Sequence, residues 1–206
     1  YYQGLQCLKK CERVYLYWYQ KNPRKNGQGL AECYIQMSNV YDSLKNRKKA
    51  IQYADKGIKL LEELLDLNYD RYVIKLAWAY SETGLLYAFY KKYDLSREYL
   101  CKSLDILEKS GSSYVQIQQN EIVEKIFVVI SLMIQESKSD TDLDTNEIYA
   151  LADRGFQFMY IYIKPLCEDK KIISTLYSLG MKLLYHFDEL DHEKTMQRYY
   201  PAVMEL

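Results

Sequence analysis

Between Ala77 and Leu107 the sequence runs AWAYSETGLLYAFYKKYDLSREYLCKSLDIL, and small residues recur there between bulky ones at helical spacing. Gly84 follows Tyr80 by four and precedes Tyr87 by three; after a turn over Lys91–Asp94, Ser96, Leu100 and Ser103 repeat the four-and-three step. Residues three and four apart share one face of an α-helix, so the stretch predicts two helices folded back on each other. Small residues on the facing stripes let the axes approach closely, and Tyr80, Tyr87 and Leu100 fill the space between them. The same arrangement occurs upstream as Tyr34, Ser38 and Tyr41 followed by Ala50, Ala54 and Gly57. Downstream it recurs less completely, as Leu176, Gly180 and Leu183 followed by Met196 and Tyr199. A chain that repeats a close-packed helical hairpin is confined to all-α architectures. No stretch alternates at period two between turn signals, so no sheet is expected.

Composition agrees with long helices. Of 206 residues, 23 are tyrosine but only three are proline and eight glycine; few breakers and many amphipathic rings suit helices with aromatic seams. About nine helices are expected, over 1–21, 29–44, 48–67, 69–91, 94–109, 112–136, 145–163, 168–187 and 191–205. Pro23 and Gly27 are expected to hold a basic turn after the first helix. Asp94 is expected to cap the fifth helix, Asp144 the seventh, and Pro165 to end the seventh. The order is one helix followed by four hairpins. The opening helix reads as the second half of a repeat whose first half is missing, and a start at Tyr1 rather than Met points to a piece of a longer protein.

Several functions find no support in the residues. Lys and Arg total 28, as do Asp and Glu, so the chain lacks the basic excess of a nucleic-acid-wrapping domain. The basic clusters Lys21–Lys25 and Arg47–Lys49 fall at expected turns, where they solvate helix ends. The longest apolar run, Ile126–Ile134, falls well short of the about 20 residues that span a bilayer. Five scattered cysteines form no disulfide framework and no secretory signal is found, so a reducing, cytoplasmic compartment is expected. Cys7 and Cys11 lie four apart, but zinc requires four ligands and only Cys33 is near, so two small buried residues at a helix contact are expected. Asp140, Asp142 and Asp144 open like a calcium loop, yet Thr145 and Leu151 stand where Gly and a bidentate Glu are required. His186 and His192 flank carboxylates at a surface turn, six apart and without a nucleophile or phosphate loop. No enzyme, cofactor or metal is therefore expected.

The notched hairpins resemble the tetratricopeptide repeat, a helix–turn–helix unit that stacks into an α-solenoid. Ser38 and Gly84 stand 46 residues apart and Gly84 and Gly180 stand 96 apart, about twice that. These units are longer than the common 34, like those of kinesin light chains and cytoplasmic peptide-pheromone receptors. They fall at about 29–67, 69–109, 112–163 and 168–206, within a single domain over 1–206. In the third, Phe127, Ser131 and Ile134 fit the first helix, whereas Ala152 and Phe156 fit only after a longer loop. In the last, His192 stands where a small residue is expected.

The resemblance implies that the first helix of each hairpin lines a concave groove. Residues one position beyond the packing stripe point about 100° away from it, which selects Ile35, Asn39 and Asp42, then Ser81, Leu85 and Ala88, then Tyr177, Met181 and Leu184. Trp78 and Glu82 lie one turn apart near the same face. The expected groove residues are Ile35, Asn39, Asp42, Trp78, Ser81, Glu82, Leu85, Tyr177 and Met181. Some family members hold a C-terminal carboxylate with Lys, Arg and Asn; Asn39 matches one such Asn, but Ile35 replaces its Lys companion and Ser81 and Glu82 also depart from that pattern. The mixed lining suits an extended peptide or a helix instead. The expected role is a non-enzymatic protein- or peptide-binding scaffold or regulatory domain of a larger cytoplasmic protein, without direct nucleic-acid or membrane contact and with oligomerisation left open. The alternative is a peptide-sensing receptor domain controlling a fused DNA-binding or ATPase effector. A third reading, an enzyme with an unrecognised pocket, requires a buried Glu, His or Cys of perturbed pKa in a cleft.

Overall fold

The computed structural model describes residues 1–110, 116–137, 144–159, 170–188 and 191–204. These residues form ten helical segments and no strand: α1 (Tyr2–Lys21), α2 (Pro23–Ser43), α3 (Arg47–Leu65), α4 (Tyr69–Phe89), α5 (Tyr93–Ser110), α6 (Gln116–Ser137), α7 (Thr145–Phe158), α8 (Lys170–Asp188), α9 (His192–Arg198) and α10 (Tyr200–Met204). The protein is all-α, as its periodicity requires.

Several ends differ from expectation, each for a physical reason. The basic turn over 22–27 is instead the opening of α2. Asn22 accepts a hydrogen bond from Lys25 N at 3.1 Å, and Pro23 occupies the first helical turn, where its missing N–H costs nothing. Gly27 lies inside α2 because a β-carbon there would sit 2.6 Å from the Leu64 methyls. Asp94 falls within the first turn of α5 rather than at its cap, where it still complements the helix dipole. Asp144 caps α7 as expected, accepting from Asn146 N at 2.9 Å. The last helix is split at Tyr199, since Pro201 cannot donate to the preceding turn. The 138–143 part of the acidic loop and Pro165 lie outside the described residues.

Successive helices pair as hairpins, α2 with α3, α4 with α5, α6 with α7, and α8 with α9 and α10, while α1 lies on α2. The notches work as read. A β-carbon on Gly84 would lie 2.8 Å from Leu100 Cγ, and Ser96 Oγ donates to Gly84 O at 2.7 Å. Two turns away, Ser103 Oγ donates to Ala77 O at 2.6 Å. Gly57 approaches Ile35 and Ala31 O in the α2–α3 hairpin, Gly155 meets Phe127, and Gly180 meets Val203 of α10 rather than a residue of α9. Tyrosine rings line these seams: Tyr41 stacks on Tyr53 at 5.2 Å, and Tyr80 and Tyr87 flank Tyr99 at 5.9 and 5.4 Å. At the C-terminal end Tyr199 stacks on Phe156 and Phe187, each at 5.0 Å.

The first helices of the hairpins also adjoin one another in the order α2, α4, α6, α8. The first three run parallel. Near their starts Tyr72 Oη donates to Arg24 O at 2.5 Å; at mid-length Asn39 meets Glu82; at their ends Tyr90 Oη donates to Asp42 at 2.7 Å. Lys91 and Glu136 join the ends of α4 and α6 at 2.6 Å. These cross-hairpin hydrogen bonds link residues 43 to 48 apart in sequence, close to the 46 between the notches.

Candidate binding face across α2, α4 and α6

Helix α4 is covered by α2, α3, α5 and α6. Along its length the positions that stay open form one stripe, Lys75, Trp78, Glu82, Leu85 and Phe89, spaced three and four apart. Parallel stripes flank it: Glu32, Gln36 and Asn39 on α2, and Glu121, Lys125, Val128 and Leu132 on α6. The α2 stripe is polar throughout, whereas those of α4 and α6 turn apolar in their C-terminal halves, at Leu85, Phe89, Val128 and Leu132.

Polar rungs cross the face. Asn39 Nδ2 donates to Glu82 Oε2 at 3.1 Å, and Lys125 Nζ pairs with Glu82 Oε1 at 2.9 Å. The Glu82 and Lys125 side chains are only 16% and 15% exposed, so this rung is a largely desolvated charge pair with an added donor. Lys125 Nζ also lies 5.8 Å from the centre of the Trp78 ring. Two turns nearer the helix starts, Lys75 pairs with Glu32 at 3.0 Å, and Glu32 accepts from Gln28 Nε2 at 3.1 Å. Between these rungs Glu32, Gln36, Lys75, Trp78 and Glu121 surround a depression of about 300 Å³. Where Asp42 meets Tyr90, burial first and this hydrogen bond second raise the tyrosine pKa.

Of the expected groove residues, Asn39, Trp78 and Glu82 come together here, with Leu85 further along the stripe and Asp42 at its edge. Ile35 and Ser81 do not belong to the open face. Ile35 is 1% exposed and points at Gly57 of α3. Ser81 is 0% exposed, its hydroxyl turned to Trp78 O at 2.8 Å. Tyr177 and Met181 are open, at 38% and 37% exposure, but lie on α8, where Ser174, Tyr177, Met181 and Tyr185 border a separate depression of about 460 Å³. Lys125 and Glu121 were not singled out in the sequence, although Glu121, Lys125, Val128 and Leu132 carry the same helical spacing as the α4 stripe.

Cys7 and Cys11 are exposed on the outer side of α1, not buried at a helix contact, because α1 packs on α2 through Leu5 and Leu8 instead. Only Cys33 is in that seam, donating to Leu8 O at 3.4 Å. Among the described residues no three His, Cys, Asp or Glu side chains converge as a metal-ion set, and no helix is long and apolar enough to cross a membrane. Comparison with known proteins finds no matching family model and no matching curated protein.

Proposed function

We propose that this chain is a tetratricopeptide-like α-solenoid that binds a peptide segment of a partner protein, without catalysis, across the open face of α2, α4 and α6. It would serve as a scaffold or regulatory domain of a larger cytoplasmic protein. One observation carries the reading: among the described residues, three parallel first helices present adjoining part-exposed stripes, polar on α2 and turning apolar along α4 and α6. The recurrence of cross-hairpin links at 43 to 48 residues supports a stacked repeat. Such a surface offers backbone partners through Asn39 and Gln36 and apolar anchorage through Leu85, Phe89 and Val128, the mixture that peptide grooves use.

The test is selection of peptides from a random 12-residue display library, about 40 Å when extended and so long enough to run along or across the face. Amide hydrogen exchange then maps the selected peptides. Protection of 75–89 and 121–132, lost in Trp78→Ala and Val128→Asp variants that keep the parent's melting temperature, supports the reading. An absence of binders, or protection confined to α3, α5 and α7, overturns it.

A further inference from the structure

The depression beside Trp78 has an unbalanced charge. Of the three ionised side chains around it, Lys75 and Glu32 neutralise each other at 3.0 Å, and Glu32 is further held by Gln28. Glu121 on the opposite wall is exposed and has no ion-pair partner among the described residues. The floor is an indole, the ring that attracts cations most strongly. Lys125 already lies near that indole, held there by Glu82, so the protein itself places one ammonium against this ring. At about 300 Å³ the space lies at the low end of ligand pockets and matches a single long side chain.

Resting on the peptide-binding reading, we propose that this depression receives an arginine side chain of the bound peptide, its guanidinium laid against Trp78 and paired with Glu121. Arginine fits better than lysine because its planar, weakly hydrated head can stack on a ring and bond a carboxylate together. The α4 stripe then sets the spacing of a second anchor. Leu85 lies seven residues beyond Trp78, about 10 Å along the axis, the reach of three extended residues. The ligand therefore carries an apolar residue three positions from the arginine, seated against Leu85 and Val128.

The experiment uses the full chain and the 12-residue library described above. The strongest selected peptide is remade with citrulline, a neutral isostere, in place of its arginine, and both are titrated against the parent and Glu121→Gln. Enrichment of arginine with an apolar residue three away is expected. Citrulline and Glu121→Gln should each weaken binding about five- to tenfold and add little when combined, as two halves of one contact must. Because Glu121 is exposed, Glu121→Gln should leave the melting temperature unchanged. The indole N–H of Trp78, resolved from Trp18 by a Trp18→Phe variant, should shift with the arginine peptide and less with the citrulline one. Peptides that protect this face without an arginine preference, or bind Glu121→Gln unchanged, overturn the inference and leave the peptide-binding reading standing. No peptide on this face overturns both.

Discussion

A single methyl group at Gly84 tests the close approach of α4 and α5. A β-carbon there would lie 2.8 Å from Leu100 Cγ, 3.0 Å from Leu100 Cδ2 and 3.1 Å from Ser96 O. Carbon atoms in contact sit about 3.5–4.0 Å apart, so Gly84→Ala requires the helices to separate by roughly 0.5–1 Å. Neither neighbour yields easily. Leu100 is fully buried, and α5 is pinned to α4 by Ser96 Oγ on Gly84 O and Ser103 Oγ on Ala77 O. Overpacking costs about 1–3 kcal/mol, and stretching the two buried bonds adds up to about 1 kcal/mol each. Against this stands the helix preference of Ala over Gly, about 1 kcal/mol. The terms centre on a loss of about 2 kcal/mol, a fall in Tm of roughly 4–8 °C for a chain of this length. Gly4 is the control: a β-carbon there meets nothing within 4 Å, so Gly4→Ala should gain about 0.5–1 kcal/mol. Urea and thermal unfolding of both variants, followed by far-UV circular dichroism, should give opposite signs. If Gly84→Ala stabilises as Gly4→Ala does, the two helices are not in close contact and the hairpin geometry is wrong.

Lys45 holds a left-handed backbone, φ 59, at the turn between α2 and α3, as Lys91, φ 57, does between α4 and α5. Lys45→Gly should remove the strain and raise stability by about 1 kcal/mol in denaturant titration; a loss would contradict the turn. The pKa values of Tyr87 and Tyr53 are pushed up to about 12, chiefly by burial, so their contribution is complete below the unfolded pKa of about 10 and is lost as pH rises toward 12. Tyr87→Phe should make the fall in stability above pH 10 shallower, and an unchanged slope would refute the assignment. Glu82→Ala strands Lys125, whose side chain is 15% exposed, and should cost about 1–3 kcal/mol, part of which the Glu82→Ala, Lys125→Ala double variant recovers. The Cys33 thiol is raised to about 11, mainly by burial, while Cys7 and Cys11 are exposed. An aromatic disulfide reagent should therefore modify Cys7 and Cys11 at least about tenfold faster than Cys33, and equal rates would place Cys33 at the surface.

What could be read in advance follows from where information sits in a helical sequence. Gly84, Ser96, Leu100 and Ser103 were legible because a close contact leaves small residues at fixed spacing on both partners. Gly27 misled because a glycine admitting Leu64 looks in sequence like a glycine ending a helix, and Pro23 because a first-turn proline looks like a stop. Ile35 and Ser81 misled for a different reason. A step of 100° from the packing stripe leaves the surface of a helix with a single neighbour. At Ser81 in α4, with neighbours on several sides, it leads from one contact into the next, while Ile35 itself belongs to the stripe that packs on Gly57 of α3. The open stripe could be found only by knowing which helices lie beside which. Glu121 and Lys125 were hidden the same way: on their own helix they are ordinary surface charges, and only the adjacency of α4 and α6 brings them to Trp78.

The ion pairs Glu32–Lys75, Glu82–Lys125, Lys91–Glu136, Arg97–Glu147 and Arg154–Asp105 all straddle neighbouring hairpins. Within the α4–α5 hairpin, buried serine-to-carbonyl hydrogen bonds and methyl contacts join the helices instead. Dissolved ions, whose screening distance shrinks from about 10 Å at 0.1 M to about 3 Å at 1 M, thus reach the more exposed of the joints between hairpins, such as Arg154–Asp105, before the largely buried Glu82–Lys125 pair. Added salt should therefore loosen contacts between hairpins while leaving the pairing of α4 with α5 in place.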